Sequence, residues 1–321
     1  MATKILITGA TGFVGSHLAE YLADKYPDNK LYGTYLSDES LKNLDTVKNH
    51  INLTKLDLAK EKDVFELVER IRPDVIYHLA AIASVADSFS SPKEPVVNNI
   101  ASQINVFEAV RKSDLGNSKL LVVSSAEVYG DVAKENLPID EETPFRPTNP
   151  YAVSKLTQDF LGLQYFLTYK LKTVRVRPFN HIGPRQSPNF VVAAFAKKIV
   201  EIEKGKRKNV LTVGNLEAKR DFTDVRDIVR AYDLAIAKGE DGEVYNLGSG
   251  MSYKIKDILD KMLSLSNTDI KVETDKALFR PIDNPELICD ASKFKKITGW
   301  ETSIGIDKTL KDTLDYWRNI L

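Results

Sequence analysis

A chain of 321 residues is long enough for one large or two moderate domains with a substantial buried core. Its 45 Lys+Arg balance its 45 Asp+Glu, which leaves no basic field to draw nucleic acid or an anionic membrane surface. The single cysteine, Cys289, excludes an intrachain disulfide; no leader and no membrane-length apolar stretch is visible, so the expectation is a soluble cytoplasmic protein.

Residues 4–8 are a short apolar and β-branched run ending in Thr8-Gly9-Ala10-Thr11-Gly12-Phe13-Val14-Gly15. A helical pattern follows through His17, Leu18, Tyr21 and Leu22 to about Tyr26, where Pro27-Asp28-Asn29 breaks it. Strands are expected at 30–35, 52–56, 75–79, 119–124 and 173–177. Between them the pattern predicts helices at 64–71, 96–110 and from Tyr151 onward. Such alternation means βαβ units, hence an α/β fold with a doubly wound parallel sheet covered on both faces.

After Asn180 the rhythm changes. Helices at 190–203, 227–237, 255–265 and 306–317 are spaced irregularly with strands at 210–213 and 244–247. The expectation is a dinucleotide-binding domain over 1–180 and a smaller α/β substrate lobe over 181–321. The two are packed together, and chain segments are free to cross back between them.

Gly9-x-x-Gly12-x-x-Gly15 sits between a strand and a helix. Glycines there let the backbone approach a pyrophosphate while the helix N-terminus supplies N–H groups, although the spacing differs by one residue from G-x-G-x-x-G. The bland alternative is a tight turn. At the end of the second strand an acidic residue would suit NAD and an arginine NADP. Gly33-Thr34-Tyr35-Leu36 offers neither; Asp38 and Lys42 lie beyond, so the choice of cofactor stays open.

In Asn149-Pro-Tyr-Ala-Val-Ser-Lys155, proline suits the first helical turn, and Tyr151 and Lys155 stand at i and i+4 on one face. An ammonium beside a phenol favours the phenolate, so this pair is read as an acid–base device with a lowered Tyr pKa. Ser125, at a strand end facing Tyr151, is a candidate for holding a substrate oxygen. Glu127 reads equally as a solvated loop carboxylate or a base. Arg220, Arg226 and Arg280 would suit a diphosphate if they converge, and Lys198 lies on a helix near them in sequence. His17, His50 and His78 lack metal-ligand spacing and read as structural or surface residues.

Taken together, the glycine loop, His78-Leu79-Ala80-Ala81, Ser124-Ser125, Tyr151-x-x-x-Lys155 and Arg177-Pro178-Phe179-Asn180 resemble the extended short-chain dehydrogenase/reductases that act on nucleotide sugars. The resemblance covers essentially the whole chain. It implies a Rossmann-type fold, catalytic Ser125, Tyr151 and Lys155, and NAD(P)H as cofactor. Cofactor contacts are implied for Gly9, Thr11, Gly12, Phe13, Val14, Gly15, Asp57, Leu58, Leu79, Ala80, Ala81, Asn99, Val123, Pro178 and His181, besides Tyr151 and Lys155.

The strings 177–186 and 213–227 look like the GDP-mannose group of this family. That likeness implies a GDP-sugar site lined by Ser84, Ser125, Asn180, Val191, Lys198, Val213, Asn215, Arg220 and Arg280. The implied activity is reduction of the C4 keto group of GDP-4-keto-6-deoxy-D-mannose to GDP-D-rhamnose. Dehydration of GDP-mannose with Glu127 as base, and C4 epimerisation, are the alternatives; a non-catalytic dinucleotide-binding regulator is the reading from another class. The helices near 96–112 and 151–169 have apolar stripes suited to a homodimer's four-helix contact, or to burial against the sheet.

Overall fold

The structure is a computed structural model and describes residues 2–279 and 284–321. In the first half, β1 (Lys4–Thr8), α1 (Phe13–Lys25), β2 (Lys30–Tyr35), β3 (Ile51–Lys55), α2 (Glu61–Ile71) and β4 (Val75–His78) lead to α3 (Val85–Ser90) and α4 (Lys93–Lys112). Then come β5 (Lys119–Val123), α5 (Pro150–Tyr169) and β6 (Lys172–Pro178). The second half runs β7 (Asn180–Ile182), α6 (Val191–Glu203), β8 (Val210–Val213), β9 (Lys219–Asp224), α7 (Val225–Lys238), β10 (Val244–Leu247) and β11 (Ser252–Lys254). It closes with α8 (Ile255–Ser264), β12 (Lys271–Thr274), β13 (Glu286–Leu287), α9 (Ser292–Thr298) and α10 (Ile306–Ile320).

Seven parallel strands form the main sheet in the order β10-β6-β5-β4-β1-β2-β3. Because successive side chains point to opposite faces, β1 sends Ile5 and Ile7 to one core and Leu6 to the other. The first core is covered by α1, α7 and α9, the second by α2, α4 and α5. The expected doubly wound sheet is present.

Segments after residue 180 cross back to the main sheet and its covering helices. β10 returns to the main sheet beside β6, with Val244 opposite Arg175 and Leu247 opposite Pro178. Val-Tyr-Asn-Leu is buried along its whole length, which an edge covered on both faces provides. α7 likewise buries Ile228, Val229, Tyr232 and Ala235 in the first core. The remaining lobe packs α6, α8 and α10 around Phe195, Ile199, Leu259 and Leu314.

Two differences from the sequence reading have physical causes. α2 begins at Glu61, three residues early, because Glu61 and Asp63 suit the positive end of a helix although they carry no apolar period. β9, Lys-Arg-Asp-Phe-Thr-Asp, looks too polar for a strand, yet five of its six residues are buried. Its carboxylates find partners inside: Asp221 accepts from Ser249, Gly250 and Cys289, and Asp224 from Thr309 and Arg226.

Candidate active site

The carboxyl ends of β1, β4, β5 and β6 carry the candidate residues onto one edge of the sheet. At the first of these, Gly9 has φ +68°, and a Cβ there would lie 3.0 Å from the Ala80 Cα. At Gly15 a Cβ would come within 2.2 Å of the Gly9 carbonyl oxygen, so helix and turn close only on glycine. Gly12 is the N-cap of α1 and offers no side-chain cap, leaving the first N–H groups, at Phe13 and Val14, for an anion. This cradle fits a dinucleotide pyrophosphate.

The turn is braced from several directions. The Thr11 and Ser40 hydroxyls hydrogen-bond at 2.7 Å, and Asn43 donates to the Thr11 carbonyl. Thr8 Oγ1 accepts from Leu79 N and Ala80 N, so its own proton goes to His78 Nδ1 at 3.0 Å. His78 is therefore the neutral Nε2–H tautomer, and burial holds its pKa down at about 3. Asp38, at the start of a 3-10 turn after β2, pairs with Lys55 at 2.5 Å on the surface. Asp57 accepts from Ala59 N, while Leu58 is buried and its carbonyl accepts from Asn105.

Ala81 is exposed, and Ala80 and Leu79 are half-buried beside the glycine turn. Asn99 is buried: its amide donates to the Ile82 carbonyl and Ser154, and its Oδ1 accepts from Ile82 N. It holds the segment after β4 in place, and its side chain is committed inside the protein instead of facing the cleft.

α5 starts where the sequence says it should. Asn149 is its N-cap, accepting from Ala152 N at 2.7 Å, and Pro150 occupies the first turn. Ser125, Tyr151 and Lys155 come together at 9%, 8% and 5% exposure. Ser125 follows β5 and caps the short turn Ala126–Tyr129, accepting from Glu127 N. The Tyr151 phenol lies beside it, near enough for the Ser125 hydroxyl to favour the phenolate.

The electrostatics differ from the sequence reading. Burial raises the Tyr151 pKa well above its ordinary value; the Ser125 hydrogen bond lowers it and the Glu127 charge raises it further. Lys155 does not hold the phenol down. Its Nζ donates to the Val123 carbonyl at 2.6 Å and to Gln158 Oε1 at 2.9 Å, and burial brings its pKa down to about 7. Desolvation penalises the charged form of both groups and is the largest cause of both shifts. Sequence spacing identified the pair but not its burial.

Glu127 is half-buried, and Asn149 donates to its Oε2 at 3.0 Å. Pro178 ends β6, and His181 follows, its ring stacked on Phe13 at 6.0 Å and 10° with Nδ1 against the Phe179 carbonyl. Burial lowers the His181 pKa.

Among the expected substrate residues, Ser84 caps α3 by accepting from Asp87 N, Asn180 is exposed on β7, and Val191 is exposed at the start of α6. Lys198 donates to the Thr212 carbonyl, and Val213 is buried at the end of β8. Asn215 accepts from Glu217 N, and Arg220 donates to the Lys219 and Asn284 carbonyls. Arg226 lies elsewhere, in ion pairs with Asp224 and Asp312. Arg280 lies outside the described residues.

Two residues escaped the sequence reading. Gln158 meets Lys155 from the same helix face, a relation its i+3 spacing would have revealed. Arg185, at φ +72°, pairs with Glu20 and donates to His17 Nδ1, while the other ring nitrogen of His17 meets the Pro184 carbonyl at 2.9 Å. That link of α1 to the chain after β7 leaves no local trace.

A family model described as GDP-mannose 4,6 dehydratase matches residues 6–313. The chain belongs to that family. Over 319 residues it is 32% identical to GDP-6-deoxy-D-mannose reductase of Pseudomonas aeruginosa, covering 99% of this chain and 98% of the relative. It is 31% identical to GDP-mannose 4,6 dehydratase 1 of Arabidopsis thaliana, covering 97% and 88%. In structure it matches RMD from Pseudomonas aeruginosa complexed with NADPH at TM-score 0.86 and 30% identity, covering 100% of both chains. As a family member it is an extended short-chain dehydrogenase/reductase: an NAD(P)-dependent enzyme of nucleotide-sugar chemistry on a Rossmann-type fold. Among the described residues no helix is long and apolar enough to cross a membrane.

Proposed function

We propose that this enzyme reduces the C4 keto group of GDP-4-keto-6-deoxy-D-mannose, giving GDP-D-rhamnose. The bound nicotinamide cofactor supplies the hydride that C4 receives. Ser125 and Tyr151 hydrogen-bond the keto oxygen, and Tyr151 gives that oxygen its proton, so a carbonyl becomes an alcohol. Lys155, fixed between the Val123 carbonyl and Gln158, keeps one N–H for the phenolate left on Tyr151 or for a ribose hydroxyl. Glycines 9, 12 and 15 hold the pyrophosphate, with Asp57 and Leu58 toward the adenine. Lys198, Asn215, Arg220 and Arg280 serve the GDP moiety.

The observation that carries the choice of reaction is the Asn149–Glu127 hydrogen bond. A reduction needs one proton donor and one hydride, and it leaves no task for a second acid–base group. In this chain Glu127 has one oxygen engaged in bracing the start of the catalytic helix. The likeness to the Pseudomonas reductase along nearly the full length of both chains supports the same reading.

A second reading, 4,6-dehydration of GDP-mannose, rests on the Glu127 charge being felt at Tyr151. There the carboxylate would take the C5 proton as water leaves C6. Incubation with the keto sugar plus NADPH or NADH, and separately with GDP-mannose alone, separates the two. Cofactor consumption with the keto sugar is expected. Loss of water from GDP-mannose without net cofactor use would replace the reductase by the dehydratase.

For assembly we infer a homodimer through α4 and α5. Val153, Phe160 and Leu167 recur every seven residues along α5, and the last two are 47% and 57% exposed. An apolar stripe on an outward helix face suits a second copy of itself. Light scattering on the wild type and on Phe160→Glu tests this, the variant being expected as a monomer.

A further inference from the structure

We propose that Gln158 is a positioning residue of the reaction: its side-chain carbonyl holds the Lys155 amine in register with Tyr151, as the near end of a buried relay anchored on the Asn99 backbone. The proposal rests on Tyr151 and Lys155 acting as described above.

The orientation of the Gln158 amide is decided by its two neighbours. Its Nε2 donates to the Asn99 carbonyl at 3.0 Å, and its Oε1 accepts from Lys155 Nζ at 2.9 Å. The flipped amide would set carbonyl against carbonyl and NH2 against ammonium, so only one orientation satisfies both ends. Gln103, one turn beyond Asn99 on α4, donates to the Gln158 main-chain carbonyl at 2.7 Å. Both glutamines and Asn99 are at most 1% exposed, so no water competes for these contacts.

Of the three N–H groups on a charged lysine, one goes to the Val123 carbonyl and one to Gln158. The third is left for the cleft. The Val123 carbonyl is fixed by the sheet, so the side-chain carbonyl of Gln158 is the acceptor that a substitution can alter. A hydrogen bond accepted from an ammonium also stabilises its charged form. The groups facing Lys155 are few. Tyr151 lies one turn back, and His78 at the end of β4 is neutral. Asp159 lies one turn on, paired with Arg175 and Arg177 of β6, and α4 contributes only the uncharged Asn99 and Gln103. Against so sparse a background, one acceptor more or less changes how far the lysine keeps its charge.

The test reads Lys155 directly. In the cofactor-free protein labelled with [ε-13C]lysine, the Lys155 resonance, assigned by its loss in Lys155→Met, is titrated by NMR. With Gln158→Met the titration midpoint is expected to fall by about one pH unit, the size of a hydrogen bond to a charged group. With Gln158→Glu, of nearly the same volume, a carboxylate replaces the amide and the midpoint is expected to rise. Turnover should follow: in Gln158→Met the alkaline limb of kcat moves the same way and kcat falls about tenfold, with the sugar KM unchanged. Opposite shifts in the two variants support the proposal. A midpoint unmoved in either folded variant, or moved in the same direction in both, overturns it; should Gln158→Met not fold, Gln158→Glu decides alone. Because the NMR titration needs no substrate, a wrong choice of sugar leaves its outcome intact.

Discussion

Asn149 uses both ends of its amide at the start of α5: Oδ1 accepts from Ala152 N at 2.7 Å, and Nδ2 donates to Glu127 at 3.0 Å. One residue thus starts α5 and restrains the carboxylate nearest Tyr151. Asn149→Ala removes the cap and is expected to destabilise the protein by about 1 kcal/mol, read as a lower urea midpoint. Glu127→Gln keeps a group that Asn149 can reach and should leave ketone reduction within about tenfold of wild type, whereas a general base would cost 10²–10⁴.

Tyr151→Phe removes the proposed proton donor and little volume. Turnover is expected to fall on the order of 10²–10⁴, with cofactor binding followed by fluorescence unchanged. Near-normal turnover would remove Tyr151 from the mechanism.

The buried Lys155 makes the stability of the cofactor-free protein depend on pH. Its pKa falls from 10.5 to about 7 on folding, so between these values the unfolded chain binds the extra proton. Stability therefore rises with pH across that window, and below about pH 7 the full cost of burying the charge is felt. Urea midpoints compared at pH 6.5 and 9 should show this gain in wild type and a smaller one in Lys155→Met. An equal gain in both would assign the pH dependence to other groups.

Gly15→Ala places a methyl 2.2 Å from the Gly9 oxygen, which is backbone and has no flexible end to give way. The α1 terminus must move off the turn, and cofactor affinity is expected to drop by at least an order of magnitude. Calorimetry with NADPH measures it. Gly116→Ala, where the added Cβ would meet nothing within 4 Å beyond its chain neighbours, is the control.

Asp159 sits fully buried between Arg175 at 2.6 Å and Arg177 at 2.7 Å. Its removal leaves two buried guanidiniums without their carboxylate, so Asp159→Ala is expected to cost about 3–5 kcal/mol, measured by urea unfolding. A loss under 1 kcal/mol would mean that Tyr129 and the carbonyls of Glu141 and Gly242 satisfy the two arginines alone.

Sequence by itself determined the features that depend on spacing along the chain. A strand, three glycines and a helix start define the candidate phosphate cradle, and i,i+4 spacing puts Tyr151 and Lys155 on one face. Alternating apolar runs specify the parallel sheet, because these are local consequences of the 3.6 and 2.0 residue periods. The tertiary structure alone decided what depends on distant partners and on exclusion of water. It returned β10 to the main sheet and let the polar β9 be a buried strand by supplying acceptors and donors from elsewhere. It turned Lys155 toward Val123 and Gln158, and it reversed the expected shift of Tyr151. Hydrogen-bond partners far apart in sequence and the local dielectric follow from packing, and no residue pattern encodes them one position at a time.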